Sequence, residues 1–405
     1  MIILYRETLI ESTINIRKIL TNSLRLFEII DEQNMKIIEA LYKFGPRNLV
    51  KLSRALGIPK STLYNRIKKI RDTGVSVEPL INASNMGLKR IFAIIRVHVG
   101  KLAIVYKLVN NNPWCKKVAV SYEQPYAIFA RFYVPANDEN IIKKFLRKLL
   151  LQRLIISYEI YETHEELFGL VLNSKYIDAK EKIAILPWRL WFESISKSNI
   201  WKKNILPLNI LEEPTYEIKV DKHDVKILEE LEINAFKDYV ELGKVLNLSP
   251  TTIKHHYTKH LIGHNIILGY VPRVAIFHPE MSKYLYGMIS FYDEKSMLNF
   301  VNTLWNSPIM PRFARVLGDN KIIGTFVIPQ TEEAKFLTFM EELVKENIVY
   351  YYRLYPIAIK TLSSWTIPAE MFGEHGWLSG WDIILKVIRK VLREEKKVYS
   401  GRKVR

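Results

Sequence analysis

The chain has 405 residues, 48% of them hydrophobic, which is long for one compact domain and sufficient for two to four domains with apolar cores. Lys and Arg total 60 against 42 Asp and Glu, a formal charge of +18 that favours a polyanionic partner, with nucleic acid ahead of a membrane surface. A single cysteine, Cys115, excludes an intramolecular disulfide framework and a cysteine-based zinc site, and it agrees with a reducing, cytoplasmic location.

The N-terminal segment 1–30 does not have the pattern of a membrane or export signal. No apolar run in the chain reaches the roughly 18 to 20 residues that a spanning helix needs. Arg6, Glu7 and Glu11 also stand where a signal peptide would need an apolar core. We therefore expect no membrane, and interpret 1–30 as a helical segment used for packing or oligomerisation.

Residues 31–86 begin with three predicted helices. Asp31 can cap the first helix, in which apolar residues recur at helical spacing. The second helix ends at Gly57, because a residue without a Cβ tolerates the left-handed turn. The third leaves a basic, hydroxyl-rich face outward, which suits the major groove because cations neutralise phosphates and short polar side chains reach base edges. The outward residues are Lys60, Ser61, Thr62, Asn65, Lys68 and Lys69.

The run LVKLSRALGIPKSTLYNRIKKIRDTGV at 49–75 resembles the winged helix-turn-helix of Lrp/AsnC-type transcription regulators. The resemblance implies a winged helix-turn-helix domain over 31–86 that binds double-stranded DNA, an archaeal source, and a role for Arg66 in contacting phosphate or bracing the helix. It also implies a following ferredoxin-like domain that pairs subunits and often binds a small effector, commonly an amino acid. The matching residues are Asp31, Ile37, Leu41, Leu52, Leu56, Gly57, Ile58, Ser61, Arg66, Ile67, Ile70, Gly74 and Val75.

Residues 88–165 alternate between strand and helix patterns in the order βαββαβ, which is the order of a ferredoxin-like domain. The next stretch, 166–220, contains three separated prolines and is interpreted as a connector with some structure of its own. The elements predicted in 88–165 are strands at 90–99, 116–122, 126–134 and 154–162 and helices at 101–111 and 138–152.

The second half of the chain repeats the first. The segment DKHDVKILEEL at 221–231 aligns with DEQNMKIIEAL at 31–41, and the offset of 190 residues holds without a gap as far as Lys69 and Lys259. Farther on, an offset of 194 pairs Pro135 with Pro329 and Tyr161 with Tyr355. This predicts a second winged helix-turn-helix and a second βαββαβ domain. The second copies are placed at 221–275 and 282–358.

The predicted fold class is therefore α+β, with the two ferredoxin-like sheets covering each other as an intrachain pseudo-dimer. Such a chain would carry two non-identical reading helices, which should prefer different base sequences. The second helix departs from the family pattern at His256, where Arg is usual, and at His264, where Gly leads into the wing, so its DNA contacts should be weaker. Its outward residues are Thr251, Thr252, Lys254, His255 and Lys259.

Histidines are concentrated in this second helix and raise the question of a metal site. Gly263 is expected to end the helix, and His260 aligns with the core position Ile70. We therefore predict packed or phosphate-facing histidines and no bound metal. The histidines concerned are His255, His256, His260 and His264.

The C-terminal region 359–405 is predicted to be a helix with a basic tail. The tail could track phosphates or lie on a membrane, and the helix could equally dock with a solvated charged face.

The predicted function is that of a sequence-specific DNA-binding transcription regulator, with a small-molecule effector and homo-oligomerisation left open. Walker, GxSxG and HExxH motifs are absent from the sequence, so we expect neither an enzyme nor a cofactor. Ser61, Thr62, Asn65, Thr251, Thr252 and His255 are the residues expected to read bases. Two alternatives are an architectural protein without sequence preference and a tetrapyrrole enzyme similar to siroheme decarboxylases, which combine the same two domain types.

Overall fold

A computed structural model of the chain describes residues 30–47, 49–197 and 213–402, with side chains as far as 395. Almost all of the predicted N-terminal helical segment 1–30, part of the predicted connector, and the end of the basic tail lie outside the described residues. The described part is an α+β structure. None of its helices combines the length and the apolar character that a membrane span requires.

The first helical unit consists of helices α1 (Glu32–Phe44), α2 (Leu49–Leu56) and α3 (Lys60–Asp72), followed by strand β1 (Ser76–Ile81). The side chain of Asp31 accepts a hydrogen bond from the backbone N–H of Asn34 at 2.6 Å, which caps α1 as predicted. Gly57 has a φ of +65° and ends α2, again as predicted. The apolar face of α3 is buried and packs this unit together.

The first sheet has the predicted βαββαβ element order. Successive residues of its first strand face opposite sides of the sheet. Ile91, Ala93 and Ile95 belong to the main core, whereas Phe92 and Ile94 belong to a separate apolar cluster on the other face. The elements are β2 (Leu88–Val97), α4 (Leu102–Asn110), β3 (Cys115–Ser121), β4 (Ala127–Pro135), α5 (Ile141–Leu151) and β5 (Ile155–Thr163).

The predicted connector is more structured than the sequence suggested. Strand β6 (Leu167–Phe168) pairs with a strand of the second sheet, and a short hairpin leads into helix α6 (Trp188–Lys197). The ring of Trp188 packs on those of Phe336 and Phe339, with centroids 6.0 and 5.6 Å away. The hairpin strands are β7 (Ile177–Asp178) and β8 (Ile183–Ala184).

The second helical unit has the same beginning as the first, but its third helix differs from the prediction. Instead of one continuous α-helix, a short α-helix is followed by seven residues of π-helix, which end before Gly263. Asn247 has a φ of +55° and takes the place of Gly57, as its tolerance for left-handed geometry predicts. The elements are α7 (Lys222–Ile233), α8 (Tyr239–Leu246), α9 (Pro250–His255), the π segment (His256–Ile262) and strand β9 (Ile267–Arg273).

The second sheet repeats the element order of the first. The elements are β10 (Ser282–Phe291), α10 (Glu294–Leu304), β11 (Arg312–Arg315), β12 (Lys321–Pro329), α11 (Glu333–Lys345) and β13 (Val349–Pro356). The predicted hairpin turn at Gly318 lies between β11 and β12. With β14 (Ala358–Ser364), the sheet orders are β14-β3-β4-β2-β5 and β13-β10-β12-β11-β6.

Each half of the chain contributes an edge strand to the sheet of the other half. Strand β6, which follows the first sheet in sequence, extends the second sheet, and β14 (Ala358–Ser364), which follows the second, extends the first. The sequence placed 359–405 in a helix and tail and missed β14. The predicted C-terminal helix is present as α12 (Trp381–Arg402).

The two halves also meet at two further places. The open faces of the sheets pack through an apolar cluster, in which the ring centroids of Phe129 and Tyr355 are 4.8 Å apart. Strands β1 and β9 form an antiparallel ribbon, with Ser76 opposite Arg273 and Ile81 opposite Ile267. These contacts fix the position of one helical unit relative to the other.

Candidate nucleic-acid interface

The outward face of α3 is exposed as predicted. Within the described part of the chain, no side chain forms a hydrogen bond or an ion pair with the six outward residues of this face. Three of the six are lysines, so the face presents flexible cations next to short polar side chains. These six are Lys60, Ser61, Thr62, Asn65, Lys68 and Lys69.

Tyr64 lies on the same face and was missed by the sequence reasoning. Its side chain is 58% exposed. Its position three residues after Ser61 and four before Lys68 was the available signal, because residues at those spacings share a helix face.

The start of α3 has no side-chain cap among the described residues. Pro59 occupies the N-cap position and offers no hydrogen-bond acceptor on its side chain, so the first backbone N–H groups of the helix remain available. Backbone N–H groups at a helix start bind phosphate well, because the helix dipole favours negative charge there. This end of the helix therefore suits a DNA backbone.

Arg66 contacts the start of the first helix. Its Nη1 lies 2.9 Å from Asp31 Oδ2 and 2.9 Å from Asn34 Oδ1, so α3 is tied to the start of α1. Partial burial raises the pKa of Asp31, but the Asn34 backbone N–H and the Arg66 guanidinium outweigh it, and the net pKa is lowered. These contacts agree with the bracing role, one of the two roles expected for Arg66, and its phosphate contact stays a prediction.

The second reading helix offers a smaller basic face. Thr251, Lys254, His255 and Lys259 are exposed, as predicted. Thr252 is half-buried and its Oγ1 lies 2.7 Å from Ser249 Oγ, at the helix cap, and its base-reading role stays a prediction. Ser249 also accepts a hydrogen bond from the Thr252 backbone N–H at 3.0 Å. Unlike α3, this helix begins with a cap already in place.

Two of the histidines in the second helix contact a buried carboxylate, which agrees with the packed role among the predicted alternatives. His256 is 9% exposed, and its Nδ1 lies 2.8 Å from Oδ1 of the fully buried Asp224. His260 Nδ1 lies 3.0 Å from the other carboxylate oxygen of Asp224. The ligand atoms of Asp221, Asp224, His256 and His260 all lie within 4.8 Å of one another. The sequence signal for this cluster was two Asp three residues apart and two His four residues apart.

Contacts between the two helical units fix the orientation of one unit relative to the other. The Arg47 guanidinium donates to the backbone carbonyl of Lys237 at 2.7 Å and lies 4.6 Å from the ring centroid of Tyr257. Arg71 lies 4.5 Å from the ring centroid of Phe236. The two units are thus held in one arrangement before any DNA is bound.

A cavity of about 140 Å³ lies between the ribbon of β1 and β9 and the two sheets. Its polar lining consists mainly of Glu78, Lys117, Arg273 and Arg312. Arg273 Nε donates to Glu78 Oε2 at 2.7 Å, and Arg312 Nε donates to Thr325 Oγ1 at 2.9 Å. This cavity was not predicted from the sequence, because its lining comes from segments far apart in the chain.

Cations outnumber carboxylates around this cavity. Burial, and then the charges of Arg312, Arg273 and Arg131, hold the pKa of Lys117 well below its usual range. Burial also lowers the pKa of Arg131 to about 9. For Glu78, burial raises the pKa, but the nearby Arg273 outweighs it and the net pKa is lowered. Glu166 pairs with Arg131 and lies 3.6 Å from Arg312, and so offsets part of the charge of these two guanidinium groups.

Comparison with known proteins gives partial matches. No family model matches the chain. The HTH-type transcriptional regulator FL11 of Pyrococcus abyssi is 35% identical over 79 residues, which are 19% of this chain and 52% of the relative. FL11 of Pyrococcus furiosus is 35% identical over 86 residues, 20% of this chain and 57% of the relative. The chain spans about half the length of the curated relatives it matches.

Among solved structures, the siroheme decarboxylase NirDL aligns over 90% of this chain and 100% of its own, with 13% identity and a TM-score of 0.49. The chain is thus similar in sequence, over part of its length, to regulators named for a helix-turn-helix.

Proposed function

We propose that the chain is a sequence-specific, double-stranded DNA-binding transcription regulator of Lrp/AsnC-like type, produced by a tandem duplication. In this proposal the winged helix-turn-helix domains at 31–86 and 221–275 and the ferredoxin-like domains at 88–165 and 282–358 form an intrachain pseudo-dimer. The observation that carries it is the exposed, uncapped and lysine-rich face of α3, on a unit fixed against its counterpart. The partial similarity to regulators of Pyrococcus supports it.

The side chains of the first reading helix divide by reach and charge. Lys60, Lys68 and Lys69 would neutralise phosphates, while Ser61, Thr62 and Asn65 lie near the helix start, where short polar groups reach base edges. Tyr64 adds an exposed aromatic ring suited to sugar or base contact. These roles make α3 the principal reader.

The second reading helix would add a weaker and different contact. At the positions aligned with Lys60 and Lys68 it carries Pro250 and Thr258, and at that of Tyr64 it carries Lys254. A homodimer reads two equal half-sites about one helical turn apart, whereas two unlike helices in one chain would read unequal ones. We therefore expect an operator with imperfect symmetry.

The test measures the salt dependence of DNA affinity and the preference for particular DNA sites. Removal of one phosphate-binding lysine should reduce the slope of log affinity against log salt by about one unit, so Lys68→Ala with Lys69→Ala should reduce it by about two. Lys143→Ala, an exposed lysine on α5, is the matched control and should leave affinity and slope unchanged. Footprinting on genomic fragments should saturate at defined sites. An unchanged slope in the double variant would contradict the assignment of α3.

We assign the cavity between the ribbon of β1 and β9 and the two sheets to a small carboxylate effector, which rests on the regulator proposal. An engineered cavity of about 150 Å³ is large enough for benzene. A cavity of about 140 Å³ therefore admits a ligand of similar size, such as a small amino acid or a short-chain carboxylate. Because the pKa of Lys117 is held low, binding of an anion beside it should be accompanied by proton uptake.

Calorimetry with a panel of amino acids and short carboxylates tests this assignment. Binding heat should vary with the ionisation enthalpy of the buffer, and Lys117→Met should abolish binding. Lys143→Ala should again behave as the wild type. If no member of the panel binds, or if Lys117→Met binds normally, the cavity is not the effector site, and the DNA-binding measurements still stand on their own.

Two other functions make different predictions in the same experiments. An architectural protein would give a uniform footprint at all fragments. A tetrapyrrole enzyme would give a perturbed Soret band on addition of iron-uroporphyrin.

A further inference from the structure

The second helical unit contains a cluster of charges that the first unit does not. With the offset of 190 residues, Asp221, Asp224, His256 and His260 align with Asp31, Asn34, Arg66 and Ile70. In the first unit one guanidinium lies beside one carboxylate. In the second, two carboxylates face two imidazoles, and no Lys or Arg of the described residues forms an ion pair with either carboxylate.

This arrangement leaves a buried negative charge without a permanent counter-charge. Asp224 is fully buried, and an isolated buried carboxylate is strongly unfavourable unless a cation or several hydrogen bonds compensate it. With neutral imidazoles the four side chains together carry two negative charges. A divalent cation would neutralise them.

The distances within the cluster match those between ligands of one metal ion. A tetrahedral zinc ion with ligands at about 2.0–2.1 Å places its ligand atoms about 3.3 Å apart. Between Nδ1 of His256 and the nearest oxygens of Asp224 and Asp221 the distances are 2.8 and 3.6 Å. From His260 Nδ1 the corresponding distances are 3.0 and 3.7 Å. These values lie on both sides of the ideal separation.

The carboxylates are also oriented from outside the cluster. Asp221 Oδ1 accepts the backbone N–H groups of His223 and Asp224, at 2.8 and 3.0 Å, which leaves Oδ2 as its nearer oxygen to the imidazoles. Asp224 Oδ2 accepts the backbone N–H of Asp221 at 2.9 Å. Such outer hydrogen bonds hold metal ligands in position. The imidazoles come from the π segment, a helix irregularity that is frequent at functional sites.

We propose that Asp221, Asp224, His256 and His260 form a binding site for one divalent transition-metal ion of the zinc type. Two imidazoles and two carboxylates suit zinc, nickel or cobalt(II), and the lack of thiolate ligands disfavours copper(I). Four protein ligands make a closed, structural site rather than a catalytic one. The ion would join the start of α7 to the helix that carries the second reading face.

The experiment uses the full chain without a histidine tag, treated with a chelator and then dialysed into chelator-free buffer. Calorimetric titration with zinc should give one tight site per chain, and cobalt(II) should give the visible absorption of tetrahedral coordination. His98→Ala, an exposed histidine outside the cluster, is the control for adventitious binding and should behave as the wild type.

Two variants borrow residues from the first unit so that the fold is preserved. His256→Arg places a guanidinium where Arg66 lies in the first unit, and His260→Ile restores the residue found at Ile70. Each should weaken zinc binding by about 100-fold or more, since even loss of an outer hydrogen bond costs about 10- to 100-fold. Circular dichroism should show an unchanged helix content.

Absence of a stoichiometric zinc site in the wild type would overturn the proposal, and the imidazoles would then be N–H donors to Asp224. Retention of full zinc affinity by both His256→Arg and His260→Ile would overturn it equally, because the ion would bind elsewhere. Loss of the cobalt absorption in these two variants, with His98→Ala unaffected, would support it.

Discussion

The two helical units hold the third helix against the first with different side chains. In both, the third helix must be held against the start of the first. The first unit uses Arg66, whose charge is permanent, beside Asp31 and Asn34. The second uses the imidazoles of His256 and His260, which lie 2.8 and 3.0 Å from the Asp224 carboxylate and which we propose as metal ligands. A guanidinium–carboxylate contact in one unit thus has an imidazole–carboxylate counterpart in the other.

The outward faces of the two third helices also differ. The first has an uncapped helix start and three exposed lysines, whereas the second has its start closed by Ser249 and only two. Changes at aligned positions therefore do not need to have equal effects, and this inequality can be measured directly.

The largest effect should come from reversing the charges of one reading face. Lys68→Glu with Lys69→Glu should weaken operator binding by about 100-fold or more, because two cations that neutralise phosphates are replaced by two carboxylates that repel them. Lys254→Glu with Lys259→Glu should cost about 10-fold. Fluorescence anisotropy at fixed salt measures both. Equal losses of affinity, or a greater loss in the second unit, would contradict the asymmetry.

A second comparison concerns one acidic position in each unit. Glu39 and Glu229 align, but Glu39 is half-exposed and accepts the backbone N–H of Ser174 at 3.1 Å. Glu229 is buried, and burial together with the charges of Glu370, Glu232 and Glu230 raises its pKa to about 8. Two glutamates at aligned positions thus have different surroundings, and only Glu229 is buried among other carboxylates.

The sign of the pH effect follows from proton binding. Between the unfolded pKa of 4.5 and the folded pKa of about 8, the folded state binds more protons at Glu229, so this group reduces stability as pH rises through that window. Glu229→Gln should therefore stabilise the protein at pH 8.5, by on the order of 2 kcal/mol, and have little effect near pH 5. Glu39→Gln is the control. Thermal melts at both pH values decide, and equal shifts at the two would contradict the assignment.

The sequence predicts those structural features that depend on neighbouring residues better than those that depend on contacts between distant segments of the chain. The three-helix skeleton and both βαββαβ runs were predicted because apolar periodicity and turn residues act locally, as Gly57 and Asn247 illustrate. The exchanged strands β6 and β14 were missed, since a two-residue strand has no periodicity and gains its hydrogen bonds only from a distant partner.

The sites depend still more on long-range contacts. The exposed face of α3 followed from helical spacing, but the bracing role of Arg66 is visible only once Asp31 and Asn34 are placed against it. The π segment gives no sequence signal, because its geometry accompanies the contact of two histidines with Asp224, 32 and 36 residues away. Lys117 lies in an ordinary strand pattern, and its burial among cations depends on the second half of the chain.

The smallest effect should come from the brace of the first unit. Asp31 and Arg66 are both partly exposed, at 51% and 31% of their side-chain surfaces, and exposed ion pairs contribute about 0.2–1 kcal/mol. Arg66→Ala should therefore lower the Tm slightly, by the same amount with and without zinc. Because the pKa of Asp31 is lower in the folded state, its contribution to stability is fully present above the unfolded pKa. This contribution is lost as the pH falls through the lower folded pKa.

The corresponding change in the second unit is compared with Arg66→Ala. His256→Ala should lower the Tm more in the presence of zinc than after chelation, because the metal stabilises only the chain that can bind it. Melts of both variants with zinc and with chelator complete the comparison. A zinc-dependent effect of Arg66→Ala, or a zinc-independent effect of His256→Ala, would show that the two braces do not differ in the way their residues indicate.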